Sequence, residues 1–308
     1  MRLVETTASL SKYYHDKSIA SPLEGLSKTP FKHVDMSMYN IIYKDSPWIS
    51  KGDLWKKEVE SCHIVSDKFG LDFCQAHSPD GNHFIDSEDR DNLILATKRS
   101  IEACAMLEIP HTVLHAQGVA GATPTDFIKK NIEFLKIFEE DAERFNVDLL
   151  IENSASLWNP DYYIRTGKEM REFVEMAKMP RLHICWDIGH GNVQGCNQFD
   201  DFVSMGEELH AIHVHDNYGN ADAHVMPLVG TTNFDNVIRG LLKIGYKGDF
   251  TFEAGCTLRN SKSWPILRRN VTDKDILANP PIDIQIKQLS LNYEIGKWML
   301  ESYNINVE

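Results

Sequence analysis

The fold is decided by two short stretches, RLHICWDIGHGN at residues 181–192 and LHAIHVHDN at residues 209–217. Each is a run of β-forming residues ending in side chains able to bind a metal. The first passes through His183, Ile184, Cys185, Trp186 and Asp187 into Gly189-His190-Gly191. The second passes through Ala211, Ile212, His213, Val214 and His215 into Asp216-Asn217. Side chains on a strand point alternately to opposite faces. Asp187 therefore shares a face with Cys185 and His183, and His213 with Ala211 and His215. In a parallel barrel that face is the interior, and chemistry gathers at its C-terminal rim.

Outward from these stretches the chain repeats one theme: a short apolar run, a polar turn, then an amphipathic segment of helix length. Strands are predicted over 3–8, 31–39, 71–76, 111–114, 147–151, 183–186, 211–215 and 249–252. Helices are predicted over 21–28, 53–69, 90–107, 124–145, 168–177, 199–208, 234–244 and 284–303. Within 53–69, Leu54, Val59, Cys62, Val65 and Phe69 recur at helical spacing, and Gly70 supplies the stop. Thr123 and Pro124 read as an N-cap and first helical position. Strands alternating with helices over 308 residues predict one (β/α)8 TIM barrel spanning 1–308. Residues 256–283 read as an insertion after the eighth strand, and 284–308 as a C-terminal helix; these two are reasonable contacts for a homo-oligomer, and the sequence does not choose among monomer, dimer and tetramer.

Composition narrows the function classes. Hydrophobic residues make up 42% and charged residues 25%, ordinary for a globular domain. No apolar run reaches the roughly 18 residues of a membrane span, and the N-terminal MRLVETTASLSKYY shows no signal-peptide core. Six scattered cysteines form no CxxC pair, so reduced thiols in a cytoplasmic protein are expected. A formal charge of −13 argues against a nucleic-acid partner, because phosphate backbones are held mainly by Lys and Arg.

Six predicted strands deliver a metal-competent residue: His77, His115, Glu152, Asp187, His213 and Glu253. A lone His or Glu at a strand end is more often a structural hydrogen-bonding group. Recurrence at one end of successive strands changes that, since a barrel brings those ends together. Carboxylates gathered there repel unless a divalent cation lies among them. Glu152, Asp187, His213 and Glu253 form the core set, and three carboxylates with one imidazole suit a fairly hard ion. Mn²⁺ is expected first, with Mg²⁺, Co²⁺ or Zn²⁺ as alternatives.

Four motifs then carry a resemblance: Leu150-Ile-Glu-Asn153, Trp186-Asp-Ile-Gly-His190, His213-Val-His-Asp-Asn217 and Thr251-Phe-Glu-Ala-Gly255. In this order the chain resembles, from about Leu3 to Gly255, the xylose isomerase-like barrels. That group includes sugar and sugar-phosphate isomerases and epimerases, and the endonuclease-IV-type apurinic endonucleases. The resemblance implies that Glu152, Asp187, His213 and Glu253 hold one divalent ion. It further implies that Glu152 and Glu253 exchange a proton beside a carbonyl through an enediolate, and that His190 contacts a substrate oxygen. His77, His115 and His224 are expected beside a small carbohydrate substrate. Asp222 and His224 are candidate further ligands, since the nuclease branch holds three zinc ions with added histidines and an Asp-x-His pair. A keto-polyol dehydratase is a further alternative. The segment 225–232, VMPLVGTT, departs from the Gly-Glu-Gly turn common in both branches.

Several other residues read as bland. His183 and His215 are expected as interior hydrogen-bonding groups just below the rim. Cys185 shows no base partner. Trp158, Trp186 and Tyr218 can stack on a sugar but are core residues more often. Arg259 and Lys262 fall where barrels hold phosphate, or are solvated charges.

Overall fold

The structure is a computed structural model that describes residues 1–85, 87–157, 160–258 and 275–308. Its strands are β1 (Leu3–Thr6), β2 (His33–Ser37), β3 (Asp72–His77), β4 (His111–His115), β5 (Asp148–Glu152), β6 (Leu182–Asp187), β7 (Leu209–Val214) and β8 (Phe250–Phe252). They pair in parallel in sequence order, and β8 closes on β1 with Leu3 opposite Phe250. Around them lie α1 (Ala8–Ser11), α2 (Ser21–Leu26), α3 (Leu54–Phe69), α4 (Glu88–Met106), α5 (Pro124–Leu135), α6 (Glu139–Phe145), α7 (Gly167–Ala177), α8 (Ile188–Gln194), α9 (Gln198–Met205), α10 (Phe234–Ile244) and α11 (Ile282–Glu301). This is the predicted single (β/α)8 barrel. A parallel strand cannot return directly to its neighbour, so each crossover needs a helix-length connection.

Differences from the sequence reading have local causes. The helix predicted over 124–145 is split by a 3-10 turn at Lys136–Phe138. The short α1 and α8 were not anticipated. α8 starts because the Asp187 carboxylate accepts the His190 N–H at 2.6 Å, a side-chain N-cap. β7 ends at Val214, so His215 lies above His213 on the rim side, not below it.

Alternation along each strand divides the core in two. Outward residues such as Val34, Ile184, Trp186, Ile212 and Phe252 are fully buried beneath the helices. Inside the barrel, Val113, Leu150, Cys185 and Ala211 form a separate apolar plug. The interior beside β2, β3 and β8 is polar instead: Asp35, Gln75 and Thr251 are all buried there. Residues 259–274, with Arg259 and Lys262, and Trp158 lie outside the described residues, as does most of the expected 256–283 insertion.

Candidate active site

The inward residues of successive strands arrive at one rim. His77, His115, Glu152 and Asp187 end β3 to β6, His213 is next to last in β7, and Glu253 follows β8 directly. His190 comes from α8, and Asp222 and His224 from the loop after β7. The structure brings all nine predicted site residues together. Seven of them line a cavity of about 460 Å³, within the roughly 300–1,000 Å³ of small-molecule sites. Asp187 and His213 lie beneath it, fully buried. A groove of about 560 Å³ at the other end of the barrel is larger. It is lined by Leu241, Tyr246 and the Arg2–Asp249 ion pair, and lacks a convergence of ligating groups among the described residues.

Glu152 is the hub. Its Oε1 lies 3.4 Å from Nδ1 of both His190 and His213. Its Oε2 lies 3.5 Å from Nε2 of both His77 and His115. Glu253 Oε1 is 3.7 Å from His213 Nδ1. On the other flank, Asp222 Oδ2 is 2.9 Å from His224 Nε2 and 3.6 Å from His190 Nε2.

Local contacts hold these groups in place. Asn153, next to Glu152, accepts the Asp187 N–H at 2.6 Å and donates to its carbonyl at 3.1 Å, tying β5 to β6. Gly189 leaves room for His215: a Cβ there would sit 1.9 Å from His215 Cε1. His215 uses that room to reach the Asp187 carboxylate at 3.0 and 3.1 Å. The loop bearing Asp222 and His224 is folded around Asp216, which accepts the N–H groups of Asn217, Gly230 and Thr232 at 2.8, 2.7 and 3.0 Å. Gly230 is needed for that approach, since a Cβ there would lie 2.0 Å from the Asn217 carbonyl oxygen.

Three rim histidines share one orientation. His77, His190 and His224 each donate Nδ1–H to a backbone carbonyl, of Ser78, Asn153 and Glu253, at 2.9, 2.8 and 2.8 Å. Their Nε2 atoms therefore face the cavity, and a neutral ring carries its lone pair there. Electrostatics follow from the packing. Burial alone would raise the Glu152 pKa, but His213 and His115 outweigh it and hold the carboxyl well below the usual range. His190 resists desolvation because Asp187 and Asp222 flank it, and its pKa rises to about 10.

A divalent cation fits this donor set. Glu152 Oε2, His213 Nδ1 and Asp222 Oδ1 are buried without a hydrogen-bond partner, a costly state for polar atoms. Ligand atoms roughly 2.1 Å from one ion lie roughly 3.0–3.5 Å apart at octahedral to tetrahedral angles. The 3.4 and 3.7 Å separations around His213 Nδ1 are close to that range. Ligating atoms also converge in His77–His115–Glu152, in Glu152–Asp187–His190 and in His190–His215–Asp222–His224.

Some groups differ from expectation. Cys185 does have a basic neighbour, His213, but burial pushes its thiol up to about 12, which makes it a poor nucleophile. His183 is not near the rim; it stacks on His210 at 3.7 Å and meets Glu208 at 2.9 Å at the opposite end. Trp186 is core, packed on Phe202 and donating to Gln198 Oε1 at 2.7 Å. Sequence reasoning missed Tyr39. Its ring meets His77 edge-on at 5.1 Å, and its hydroxyl donates to Asp80 Oδ2 at 3.0 Å. It also missed Gln75, buried behind His213. Neither residue type carries a motif signal. No helix among the described residues is long and apolar enough to cross a membrane.

The chain is similar to fructoselysine 3-epimerase of Shigella flexneri, 24% identical over 157 residues, which is 51% of this chain and 56% of that protein. It spans about half or less of the length of the first curated relatives it matches. Among solved structures it superposes on a D-tagatose 3-epimerase-like protein with TM-score 0.72 and 20% identity, covering 99% of this chain and 98% of that one. It also superposes on the zinc-bound IOLI protein with TM-score 0.70 and 15% identity, covering 98% and 99%. At these identities the structural likeness shows the fold alone. A family model described as xylose isomerase-like TIM barrel matches residues 40–265, and with that match over most of its length the chain belongs to the xylose isomerase-like TIM barrel family.

Proposed function

We propose that this chain is a divalent-metal-dependent sugar epimerase or isomerase that moves a proton beside a carbonyl. The observation that carries the reading is the meeting of Glu152 and Glu253, from β5 and β8, on the same atom, His213 Nδ1, at 3.4 and 3.7 Å. Two carboxylates reaching one point from different sides of the rim bracket whatever is held there. The similarity to named ketose epimerases supports a carbohydrate substrate.

Glu152, Asp187, His213 and Glu253 would hold the cation, Mn²⁺ ahead of Mg²⁺, Co²⁺ or Zn²⁺ for a mainly oxygen donor set. When bound, the cation withdraws charge from neighbouring substrate oxygens and acidifies the C–H beside the carbonyl. Glu152 accepts that proton, and the C–H electron pair becomes the enediolate. Glu253, protonated at the start of the step, gives its proton to the opposite face and is left as the carboxylate, with the roles exchanged in the reverse direction. His190 Nε2, flanked by Asp222, orients a substrate hydroxyl, and His77, His115 and His224 line the same cavity.

Exchange of a ketose α-proton with solvent deuterium tests this, on a panel of free and phosphorylated sugars. Glu253→Gln should lower turnover by about 10²–10⁴-fold and leave the circular dichroism unchanged; a variant that keeps most of its activity would sink the assignment. Loss of water from the sugar, in place of exchange, would point to a dehydratase.

A second reading rests on the two further donor groups, His77–His115–Glu152 and His190–Asp222–His224. They suit a three-zinc phosphodiesterase of the apurinic-endonuclease type, against which the charge of −13 argues. Elemental mass spectrometry decides: about one Mn, Co or Mg per chain supports the sugar enzyme. Three Zn per chain, with cleavage of an abasic duplex, supports the nuclease.

A further inference from the structure

We propose that Gln75 fixes the tautomer of His213, and with it the ability of His213 to bind the cation; this rests on the metal role proposed above. His213 is turned the opposite way from the other rim histidines. Its Nδ1 faces Glu152 and Glu253, and its Nε2 points down into the barrel. There Nε2 meets Gln75 Nε2 at 2.8 Å. Drawn this way round, the amide NH2 donates to the ring. A neutral His213 then carries its proton on Nδ1, which blocks that atom as a ligand.

Which amide atom is nitrogen is assigned from the surrounding hydrogen bonds, and those bonds favour the reverse. Gln75 Oε1 and His213 Nδ1 are both buried without a partner. So are both oxygens of Asp35, although the Thr6 hydroxyl lies beside that carboxyl. Asp35 is the register neighbour of Gln75, on the same inward face of β2. Turning the Gln75 amide by half a revolution lets Oε1 accept His213 Nε2–H and leaves a lone pair on Nδ1, aimed between Glu152 and Glu253. It also turns the NH2 away from the ring, on the inward face that Gln75 shares with its register neighbour Asp35. One rotation gives the orphaned Gln75 Oε1 a donor and leaves His213 Nδ1 open for the cation. Its logic matches that of His77, His190 and His224, whose Nδ1–H each meets a backbone carbonyl oxygen. Gln75 is thus a positioning residue, acting on the cation through His213. Outer partners of this kind typically contribute 10–100-fold in metal affinity.

The test titrates Mn²⁺ into the full chain, freed of metal by chelator, with free Mn²⁺ read by electron paramagnetic resonance. Gln75→Leu should bind at least tenfold more weakly. Gln75→Glu should stay within about threefold of the parent, because a carboxylate still accepts Nε2–H. Equal losses in both variants, or no loss in Gln75→Leu, would overturn the proposal. Ring ¹⁵N shifts of His213 in the metal-free parent, recorded at a pH high enough for the ring to be neutral, give a readout that needs no variant of Gln75. The resonance is assigned by its disappearance in His213→Gln. An Nε2–H signature supports the proposal and an Nδ1–H signature refutes it. His213→Gln also separates the two ideas: if it binds Mn²⁺ as tightly as the parent, the ligand role of His213 falls, while the ¹⁵N shifts still judge Gln75.

Discussion

Replacing Gly189 with alanine tests how the site is packed. The new Cβ would lie 1.9 Å from His215 Cε1 and 2.4 Å from both ring nitrogens. Carbon atoms rest at about 3.5 Å or more, so the ring must retreat by roughly 1.5 Å. It has little room, because His224 stacks on it with centroids 3.9 Å apart. A retreat of that size carries His215 Nε2 out of reach of Asp187, now at 3.0 and 3.1 Å. Losing a hydrogen bond to a charged group costs about 1.5–3 kcal/mol, and overpacking adds about 1–3 kcal/mol. The sum is about 4 kcal/mol. At about 2.1 cal/mol/K of unfolding entropy per residue, a chain of 308 residues would lose roughly 6 °C in Tm. Scanning calorimetry of the metal-free protein reads this directly, and Mn²⁺ affinity should fall with it. A Tm within 1 °C of the parent and an unchanged affinity would refute the reasoning, since His215 would then not be wedged between Gly189 and His224.

Two further changes probe the supporting structure. Burial raises the pKa of Glu5 to about 8 against the pull of Ser9 and Asn292, so between its unfolded value near 4.5 and pH 8 the folded state binds more protons than the unfolded one. Stability contributed by neutral Glu5 is therefore full below about pH 4.5 and lost as pH rises through 8. Glu5→Gln should accordingly gain on the order of a few kcal/mol relative to the parent at pH 9 and little at pH 5, as read by urea unfolding at both; an equal effect at the two pH values would contradict a buried neutral acid. Asp216→Ala strips the acceptor from the amides of Asn217, Gly230 and Thr232; cleavage between residues 217 and 232 should appear in limited proteolysis, with destabilisation of about 2 kcal/mol, and resistance equal to the parent would show the loop is held by other contacts.

Much of the barrel was legible because its signals are local. Alternating strands, Gly70 after α3 and the Thr123 cap of α5 each depend on a few neighbouring residues. The helix over 234–244 was read to the residue because its amphipathic face and Gly245 mark both the turn period and the end. The split at Lys136–Phe138 was not legible, since the apolar pattern of 124–145 runs through it. α8 was missed for a different reason: Asp187 was read as a ligand, and the same carboxylate is also the cap that starts the helix carrying His190.

The sequence by itself determined the strand–helix alternation, and through the period of two it determined which residues of each strand face inward. That is enough to name Glu152, Asp187, His213 and Glu253 as rim residues, because facing is a property of the local backbone. Only the tertiary structure decided which atoms meet. His213 presents Nδ1 where His77, His190 and His224 present Nε2, and Gln75, 138 residues away in the chain, supplies the hydrogen bond behind it. Those facts depend on barrel closure and register, which bring β3 opposite β7 across the interior. No pattern within either strand encodes that distance.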